Sequence, residues 1–468
     1  MVSSTQCGLP GLRSWGANVT TRRQPNDRLR DAIAATGWTY EALAHAVRRV
    51  AAENGEILRT NKSAVAHWVD GARPSGRVGQ YLAEALSRRA GRPITMREIG
   101  LEPVDEELPF VSDPVVAARD LGRADLERRR FLSAAAFTTT ALSLPLNYDH
   151  EAVSRMLRVR RQSAHAGLAE INVVREITAV FSAADERLGG GHGLTTVTAY
   201  LADTAAPLLV ARFPSEDVRR QAFAAVAELA YLAGWKHHDL GQEGAAQRYY
   251  LVGYQLACEA DPHGHAGWMM RAMAHQALSL KQPRHCVALV QGALRRSVGH
   301  VDGRTEALLH ITHARAHAAA KDKVAAARAL LAAENALARD EEPQPSFSAV
   351  SGPAEGTIAS HTARTLTDLA DHAGTERQHR AALVRWDLRK YKRVHMLTYA
   401  DLGDCLAAQA KADEAVAAWG QALDLMEGVS SDRTRKAITY IRPTLATYIR
   451  RRVPGAVELD RRAREALL

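Results

Sequence analysis

The chain is poor in cysteine. Its 468 residues contain four, Cys7, Cys258, Cys286 and Cys405, which lie far apart and form no C-x-x-C pair. This spacing indicates free thiols in a reduced, cytoplasmic protein. The sequence also has no amino-terminal apolar segment typical of an export signal, and no window long enough to span a bilayer. We therefore expect a cytoplasmic location and no membrane partner.

Aromatic residues are also sparse, at 6%, and runs of β-branched residues are rare. No segment is a good candidate for a strand, whereas alanine-rich amphipathic stretches follow one another along the chain. The sequence predicts an all-α protein, and its length predicts two or three domains.

Positive charge is concentrated near the amino terminus. Residues 1–100 hold 15 lysines and arginines against 8 aspartates and glutamates, a net charge of +7, while the whole chain carries +9. A local excess of this kind favours a polyanionic partner for the first domain, the alternative being a basic surface that maintains solubility.

Caps and breaks divide the first hundred residues. After a loose arm over residues 1–25, a domain over 26–100 is predicted to contain five helices. Their starts are predicted at Asn26 or Asp27, at Thr39, at Thr60 or Asn61, after Ser75, and at Thr95. Residues 101–149 are predicted to be a linker followed by an apolar connecting helix. The stretch from Arg128 to Leu146 imitates a twin-arginine export signal, but it lies far inside the chain, which favours the connecting helix.

Residues 150–468 contain an internal repeat. The stretch from Ala227 to Pro262 resembles a tetratricopeptide repeat, with Gly234 at the helix crossing, Gly241 in the turn and Tyr250 filling the gap to the next repeat. The packing alanine is Ala246. The same spacing recurs at Tyr399, Leu402, Gly403, Ala415, Trp419 and Ala422, with weaker copies near Cys286 and Ala326 and a further helix pair at about 355–386.

The helix that starts at Thr60 or Asn61 has one polar and one apolar side. Asn61, Lys62, Ser63 and His67 are predicted to face outwards, and Val65, Trp68 and Val69 to anchor the helix. Short polar side chains at the amino-terminal end of a helix suit entry into the major groove, where asparagine reads adenine and lysine reads guanine or phosphate.

Two runs in this region resemble the Cro/CI-type (lambda-repressor-like) helix-turn-helix: T-Y-E-A-L-A from Thr39 and S-A-V-A-H-W-V-D-G from Ser63. The resemblance implies binding to double-stranded DNA. It implies that Thr39 and Tyr40 touch phosphates, that Trp68 and Gly71 are structural, and that a larger set lies at the DNA. That set is Thr39, Tyr40, Thr60, Asn61, Lys62, Ser63, Ala66, His67 and Arg73.

The sequence departs from that family between Val47 and Thr60, where twelve residues replace the usual short turn. The register of the base-contacting residues therefore stays open by one position either way. A helical interaction domain that binds no nucleic acid is the alternative for this region.

Three further runs widen the resemblance. They are similar to signatures of actinobacterial regulators that join such a DNA-binding domain to a tetratricopeptide-like array. The runs are F-S-A-A-D-E-R-L-G-G-G-H-G from Phe181, L-A-Y-L-A-G-W-K from Leu229 and A-Q-R-Y-Y from Ala246. The resemblance implies transcriptional control of development and secondary metabolism. In related repressor-like proteins the array dimerises and senses a peptide or small molecule, which we expect here too.

Patterns for other chemistry are weak. L-G-G-G-H-G from Leu188 follows no strand and favours an inter-helix break over a phosphate loop. His310, His313 and His317 share a helix face, but the sequence indicates no carboxylate or thiol that would complete a metal site with them, so a solvated face is favoured over a metal site. The sequence shows no nucleophile, no paired carboxylates and no cofactor motif, and we expect no enzyme and no cofactor.

The concave face of the array offers the candidate effector site. It is predicted to include His237, Trp268, Arg271, His275, His310 and Arg315, a set suited to an anionic ligand with an apolar part. Alternatively, these side chains face water or contact the connecting helix near Phe131. Two other functions stay open: a protein–protein adaptor with a peptide-binding array, and an effector enzyme with unrecognised chemistry in the concavity.

Overall fold

The computed structural model describes residues 24–53, 56–90, 94–101, 113–126, 165–339 and 343–467. Within these ranges the chain is helical, with a single isolated bridge between His165 and Arg212 and no strand, so the all-α prediction is confirmed. The Arg128–Leu146 segment and nearly all of the predicted arm lie outside the described residues. Among the helices described, none combines the length and the apolar character needed to cross a membrane.

Four helices form the amino-terminal domain: α1 (Asp27–Thr36), α2 (Tyr40–Glu53), α3 (Lys62–Val69) and α4 (Val78–Ala90). Their starts follow the predicted caps. The Asn26 side chain accepts a hydrogen bond from the Leu29 N–H at 3.0 Å, and Thr39 Oγ1 accepts one from the Ala42 N–H at 3.2 Å. Gly37 ends α1 at a φ of 66°, in the left-handed region where glycine is favoured.

The predicted fifth helix at Thr95 is wrong, because residues 96–100 form a hydrogen-bonded turn. Thr95 Oγ1 accepts from the Glu98 N–H at 3.2 Å, and the Glu98 carboxylate accepts from the Thr95 N–H at 2.6 Å. This is the cap pattern of a helix start. Gly100, at a φ of 69°, leaves the helical region only five residues later, so a start signal is followed at once by a stop.

Asn26 connects three parts of this domain. Its backbone N–H donates to the Val69 carbonyl at the end of α3 at 2.8 Å, and its side-chain amide donates to the Ile99 carbonyl at 2.9 Å. The core lies between these elements and includes Leu29, Ile33, Leu43, Val47, Val65, Leu82 and Leu86. As a result, α3 is held at its carboxyl end while its amino-terminal end stays on the surface.

Part of the predicted linker is instead a helix, α5 (Pro114–Leu126), which packs against the carboxy-terminal domain. Asp113 Oδ1 accepts from the Val115 N–H at 2.8 Å and so caps it. Pro114 occupies the first helical position, where its missing N–H costs nothing. Val115, Ala118 and Leu121 are buried in the core of the array.

The remaining helices build the array. A first group is α6 (Leu168–Leu188), α7 (Leu194–Tyr200), a π-helical segment (Leu201–Ala205) and α8 (Ala206–Leu208). Six helical hairpins follow: α9 (Glu216–Asp239) with α10 (Glu243–Ala260), α11 (Gly264–Ser279) with α12 (Pro283–Ser297), α13 (Gly303–Ala319) with α14 (Lys323–Ala338), α16 (Ala354–Asp368) with α17 (His372–Arg385), α18 (Lys392–Ala408) with α19 (Ala412–Asp424), and α20 (Asp432–Arg450) with α21 (Ala456–Glu465). A one-turn helix, α15 (Ser346–Ala349), precedes α16. These hairpins confirm the helical repeat array.

A glycine opposite an aromatic ring sets the helix crossing in two hairpins. A Cβ at Gly234 would lie 2.7 Å from the Tyr250 ring, and one at Gly403 would lie 2.3 Å from the Trp419 ring. The predicted close contact at each glycine is thus confirmed. The Tyr250 ring thus packs against Gly234 inside its own hairpin.

Helix α6 packs against both α9 and α18, the first helices of the first and fifth hairpins. The Leu188–Gly193 run that follows it is the predicted inter-helix break, and it is closely packed. The Ser430 N–H donates to the Leu188 carbonyl at 2.7 Å, and the Gly191 N–H donates to the Ser430 carbonyl at 3.0 Å. The first helix of the array is thus joined to the loop before α20, and the helices surround a cavity.

Candidate DNA-binding face and array cavity

Helix α3 has one exposed side and one buried side, as predicted. Lys62, Ser63 and His67 are exposed, whereas Val65 and Val69 are buried against the other helices of the domain. Trp68, also predicted as an anchor, is half-buried at the edge of this core, and Ala66 is half-buried between the two sides. The side chains of Lys62, Ser63 and His67 are therefore not part of the domain core and can reach a partner.

Asn61 is exposed but is also the cap of α3. Its side-chain oxygen accepts from the Ala64 N–H at 2.9 Å, an interaction that competes with the bidentate pairing to adenine expected from sequence. The prediction that Thr60 contacts DNA is wrong for its side chain, which is buried. The Thr60 carbonyl accepts a hydrogen bond from Arg48. The buried side chain of Thr60 cannot reach DNA.

The other predicted DNA contacts lie beside α3. Thr39 is exposed while its hydroxyl caps α2, Tyr40 is half-buried against the domain core, and Arg73 is exposed just beyond the end of α3. The long connection from α2 to α3 is tied down at its end by the Arg48–Thr60 hydrogen bond. Residues 54–55 of that connection lie outside the described part of the chain.

The second candidate site is a cavity of about 170 Å³ inside the array. Its walls come mainly from α6 and from the first helices of all six hairpins, which are the helices that the sequence predicted to form the concave face. The cavity is lined by five arginines, Arg271, Arg315, Arg364, Arg393 and Arg433.

Three of the six predicted ligand-binding residues line this cavity: Arg271, His275 and Arg315. The other three do not, and the prediction is corrected for each. His237 faces α5, where its Nε2 lies 3.2 Å from the Asp125 carboxylate. Trp268 is fully buried beneath the Arg271 guanidinium, 4.4 Å from the ring centre.

His310 lies on another side of α13, where its Nε2 is 3.6 Å from the Glu306 carboxylate. All six predicted side chains lie on first helices of hairpins. Sequence periodicity indicates which residues lie on a helix, but side chains on different faces of that helix contact different neighbours, so only three of the six line the cavity.

Three of the cavity arginines face carboxylates. Arg393 lies 2.8 Å from Asp185, 3.3 Å from Glu186 and 3.2 Å from Asp239, and Arg364 lies 2.9 Å from Asp401. Arg433 is 3.8 Å from Asp239. Burial raises the pKa of Glu186 to about 7 even though Arg393 opposes this. For Asp239, burial acts in the same direction, but Arg393 and Arg433 outweigh it and lower the pKa.

Arg271 and Arg315 differ from these three, since neither has a carboxylate within ion-pair distance among the described residues. Arg271 Nε donates to the Leu308 carbonyl and to Thr312 Oγ1, each at 3.0 Å. Arg315 Nη1 lies 3.0 Å from His361 Nδ1, while its Nε is buried and has no hydrogen-bond partner in the described structure. Burial lowers the pKa of Arg271 to about 10 and that of Arg315 to about 9, values at which both stay charged at neutral pH.

The sequence analysis missed several members of this site. Tyr231 and Trp235 line the cavity from α9, and His361 lines it from α16. Tyr231 and Trp235 are four residues apart on one helix face, a spacing that could have placed both on the concave side. His361 had no such signal, because only the fold brings α16 opposite α11.

The histidines of α13 show a contact of a different kind. His313 Nε2 and His317 Nε2 are 2.9 Å apart. Within the described ranges, no group of three or more histidine, cysteine or carboxylate side chains is arranged to hold a metal ion.

Residues 29–102 match the family model described as the SP15 N-terminal domain. The match begins within α1 and ends just after the turn that closes the domain, so it coincides with the four-helix unit that presents α3. No curated protein was found to match the chain. The described helices thus form a helical-repeat array and an amino-terminal group of four helices.

Proposed function

We propose that the protein is a cytoplasmic, sequence-specific DNA-binding transcriptional regulator whose helical array dimerises and binds an effector. The observation that carries the DNA-binding half is the arrangement of α3. Its exposed side presents Lys62, Ser63 and His67, while Val65 and Val69 fix the opposite side in the core. A rigid helix with a polar amino-terminal end is what major-groove readout requires.

Charge supports the same proposal. Arg59 and Arg73 are exposed on either side of α3 in the sequence, within a region of net charge +7 over residues 1–100. Basic residues around a groove-entering helix contact phosphates and hold the helix in register, without themselves reading the sequence.

The effector-binding half is supported by the cavity and by its connection to the other domain. Helix α5 lies between the two domains in the chain, and its Asp125 carboxylate contacts the array through His237 Nε2 at 3.2 Å and the Tyr249 hydroxyl at 3.5 Å. His237 is on α9, the same helix that carries cavity residues Tyr231 and Trp235. A ligand that shifts α9 would thereby move the end of α5.

A gel-shift experiment with Lys62→Ala tests the DNA-binding half. Lys323→Ala is the matched control, because both lysines are exposed and each is the first residue of a helix that follows an asparagine or aspartate cap. Full-length protein should select genomic fragments that share a sequence, with affinity that falls steeply as salt rises. Lys62→Ala should weaken specific binding by about tenfold to a hundredfold, equivalent to about 1–3 kcal/mol, and Lys323→Ala should leave it unchanged.

Absence of any gel shift at low salt would contradict the proposal and favour the adaptor function. Equal weakening by both substitutions would show a general charge effect and would contradict base readout by α3.

A further inference from the structure

Arg271 and Arg315 form an unusual pair in the array cavity. Each contributes a buried or largely buried positive charge, and in the described structure neither has a carboxylate within ion-pair distance. A buried charge without a counter-ion is costly, so such groups are normally paired. The other arginines of the same cavity obey this rule, which makes these two the exception.

The surroundings of the pair keep it positive. Thr312 Oγ1 accepts from Arg271 Nε at 3.0 Å and lies 3.2 Å from His275 Nε2, and the His275 ring is 4.9 Å from the His361 ring. Burial, and then the neighbouring arginines, hold the pKa of both histidines well below the usual range, so both are neutral at pH 7. Arg271, Thr312, His275, His361 and Arg315 thus form one connected group, with a positive charge at each end.

Acidic side chains in the wall are occupied elsewhere. Glu228 accepts a hydrogen bond from the Ser346 hydroxyl at 2.7 Å, and burial raises its pKa. Asp185 and Glu186 face Arg393, at 2.8 Å and 3.3 Å respectively. Asp368 and Asp401 act on Arg315 only from beyond ion-pair distance, and Asp401 faces Arg364 at 2.9 Å. Among the described residues, no carboxylate pairs directly with Arg271 or Arg315.

We propose that this cavity binds a small organic anion, a carboxylate or phosphate ester, with its charged group between Arg271 and Arg315 and its apolar part against Tyr231 and Trp235. Guanidinium groups suit both head groups because their N–H donors match two oxygens of one anion. A volume of about 170 Å³ fits a body of the size of one aromatic ring, since a cavity of about 150 Å³ admits benzene. The inference deepens the effector-binding half of the proposed function and rests on it.

Calorimetry and thermal unfolding of the full-length protein, without DNA, test this site. The probes are benzoate, phenyl phosphate and neutral benzamide, which share a ring and differ in charge. We expect benzoate or phenyl phosphate to bind and raise the unfolding temperature, and benzamide to bind at least tenfold more weakly. The stronger of the two anions identifies the head group. Binding by neither anion, or equal binding of benzamide, would overturn the proposal.

Two substitutions locate the binding. Arg315→Met should reduce anion affinity at least tenfold, and Arg315→Lys, which keeps the charge but loses the planar donor fork, should reduce it less. Arg220→Met removes an exposed arginine of α9 and should leave affinity unchanged. Because Arg315→Met could also disturb folding, helicity by circular dichroism is measured for each variant. Full anion affinity in a folded Arg315→Met protein would place the ligand elsewhere and overturn the assignment.

The same preparations separate this inference from the DNA-binding proposal. Loss of anion binding in Arg315→Met with an unchanged gel shift supports the site. A protein that shifts DNA but binds neither anion overturns the cavity inference alone. A protein that binds the anion but shifts no DNA overturns the DNA-binding proposal and supports the cavity site.

Discussion

At the scale of single residues, one side chain can cap a helix and also be a candidate for reading a base. Asn61 has the residue type that reads adenine, yet in the structure its oxygen accepts the Ala64 N–H and starts α3. Substitution by alanine would therefore mix a structural loss with any loss of recognition. The two effects separate only if a variant keeps the cap and removes the amide.

Asn61→Ser and Asn61→Ala form such a pair. Serine keeps an oxygen acceptor for the Ala64 N–H, whereas alanine loses it and should destabilise the start of α3 by about 1 kcal/mol. If the amide reads a base, both variants should lose sequence preference in gel shifts, and only Asn61→Ala should show faster hydrogen exchange in α3. Full sequence preference in Asn61→Ser would mean that Asn61 is a cap and nothing more.

At the scale of helices, the hairpins depend on glycines whose roles differ. Gly234 has no room for a side chain, because its Cβ would meet the Tyr250 ring at 2.7 Å. Gly420, within α19, would meet nothing within 4 Å. The first glycine is needed for packing, and the second only weakens its helix.

Alanine at these two positions should have opposite effects on stability. Gly234→Ala should lower the free energy of unfolding by about 1–3 kcal/mol through overpacking against Tyr250. Gly420→Ala should raise it by about 0.5–1 kcal/mol because alanine loses less backbone entropy in a helix. Thermal unfolding of the two full-length variants measures both. Stabilisation by Gly234→Ala would contradict the close crossing of α9 and α10.

At the scale of the whole molecule, buried charges hold α6 against the far end of the array. Arg393 of α18 contacts Asp185 and Glu186 of α6 and Asp239 of α9, so three helices distant in sequence share one ionic group. Removing one partner of such a group leaves an uncompensated buried charge, which typically costs about 3–5 kcal/mol. The array is thereby sensitive to the ionisation of this group.

Glu186 should make the stability of the array depend on pH. Burial raises its pKa to about 7, above its value in the unfolded chain. The favourable contribution of the protonated form is complete below the unfolded pKa and is lost as pH rises through about 7. The unfolding temperature should therefore fall between about pH 4.5 and pH 7 and level off above, and Glu186→Gln should flatten that dependence.

Glu334→Gln, which removes an exposed glutamate of α14, is the control for that measurement. It should keep the pH dependence of the original protein. Parallel pH profiles for the original protein and Glu186→Gln would assign the dependence to another group.

The proposed regulator should also be dimeric. If one α3 helix reads one half-site, as proposed, joining two copies through the array would raise the effective concentration of the second domain at the second half-site. Full-length protein is expected to sediment as a dimer and to prefer inverted repeats over single half-sites. Sedimentation as a monomer with undiminished specific binding would contradict this arrangement.

The sequence by itself determined the class of fold and most local boundaries. Asn26, Thr39 and Gly37 mark helix ends through bonds to residues three or four positions away, and Gly234 with Tyr250 marks a hairpin through a contact within one repeat. Such signals are local, so a pattern of residue types carries them. The same signals failed at Thr95, where a following glycine ends the turn, and over residues 114–126, where part of the predicted linker is a helix.

Only the tertiary structure decided which side chains meet in the cavity. Arg271 and His361 are far apart in sequence and belong to different hairpins, yet both line one space, while His237 on a neighbouring helix turns to α5. The missing counter-charge of Arg271 and Arg315 is likewise visible only in three dimensions. Helix periodicity fixes which residues share a face, but the curvature of the array and the position of α6 fix what each face encloses.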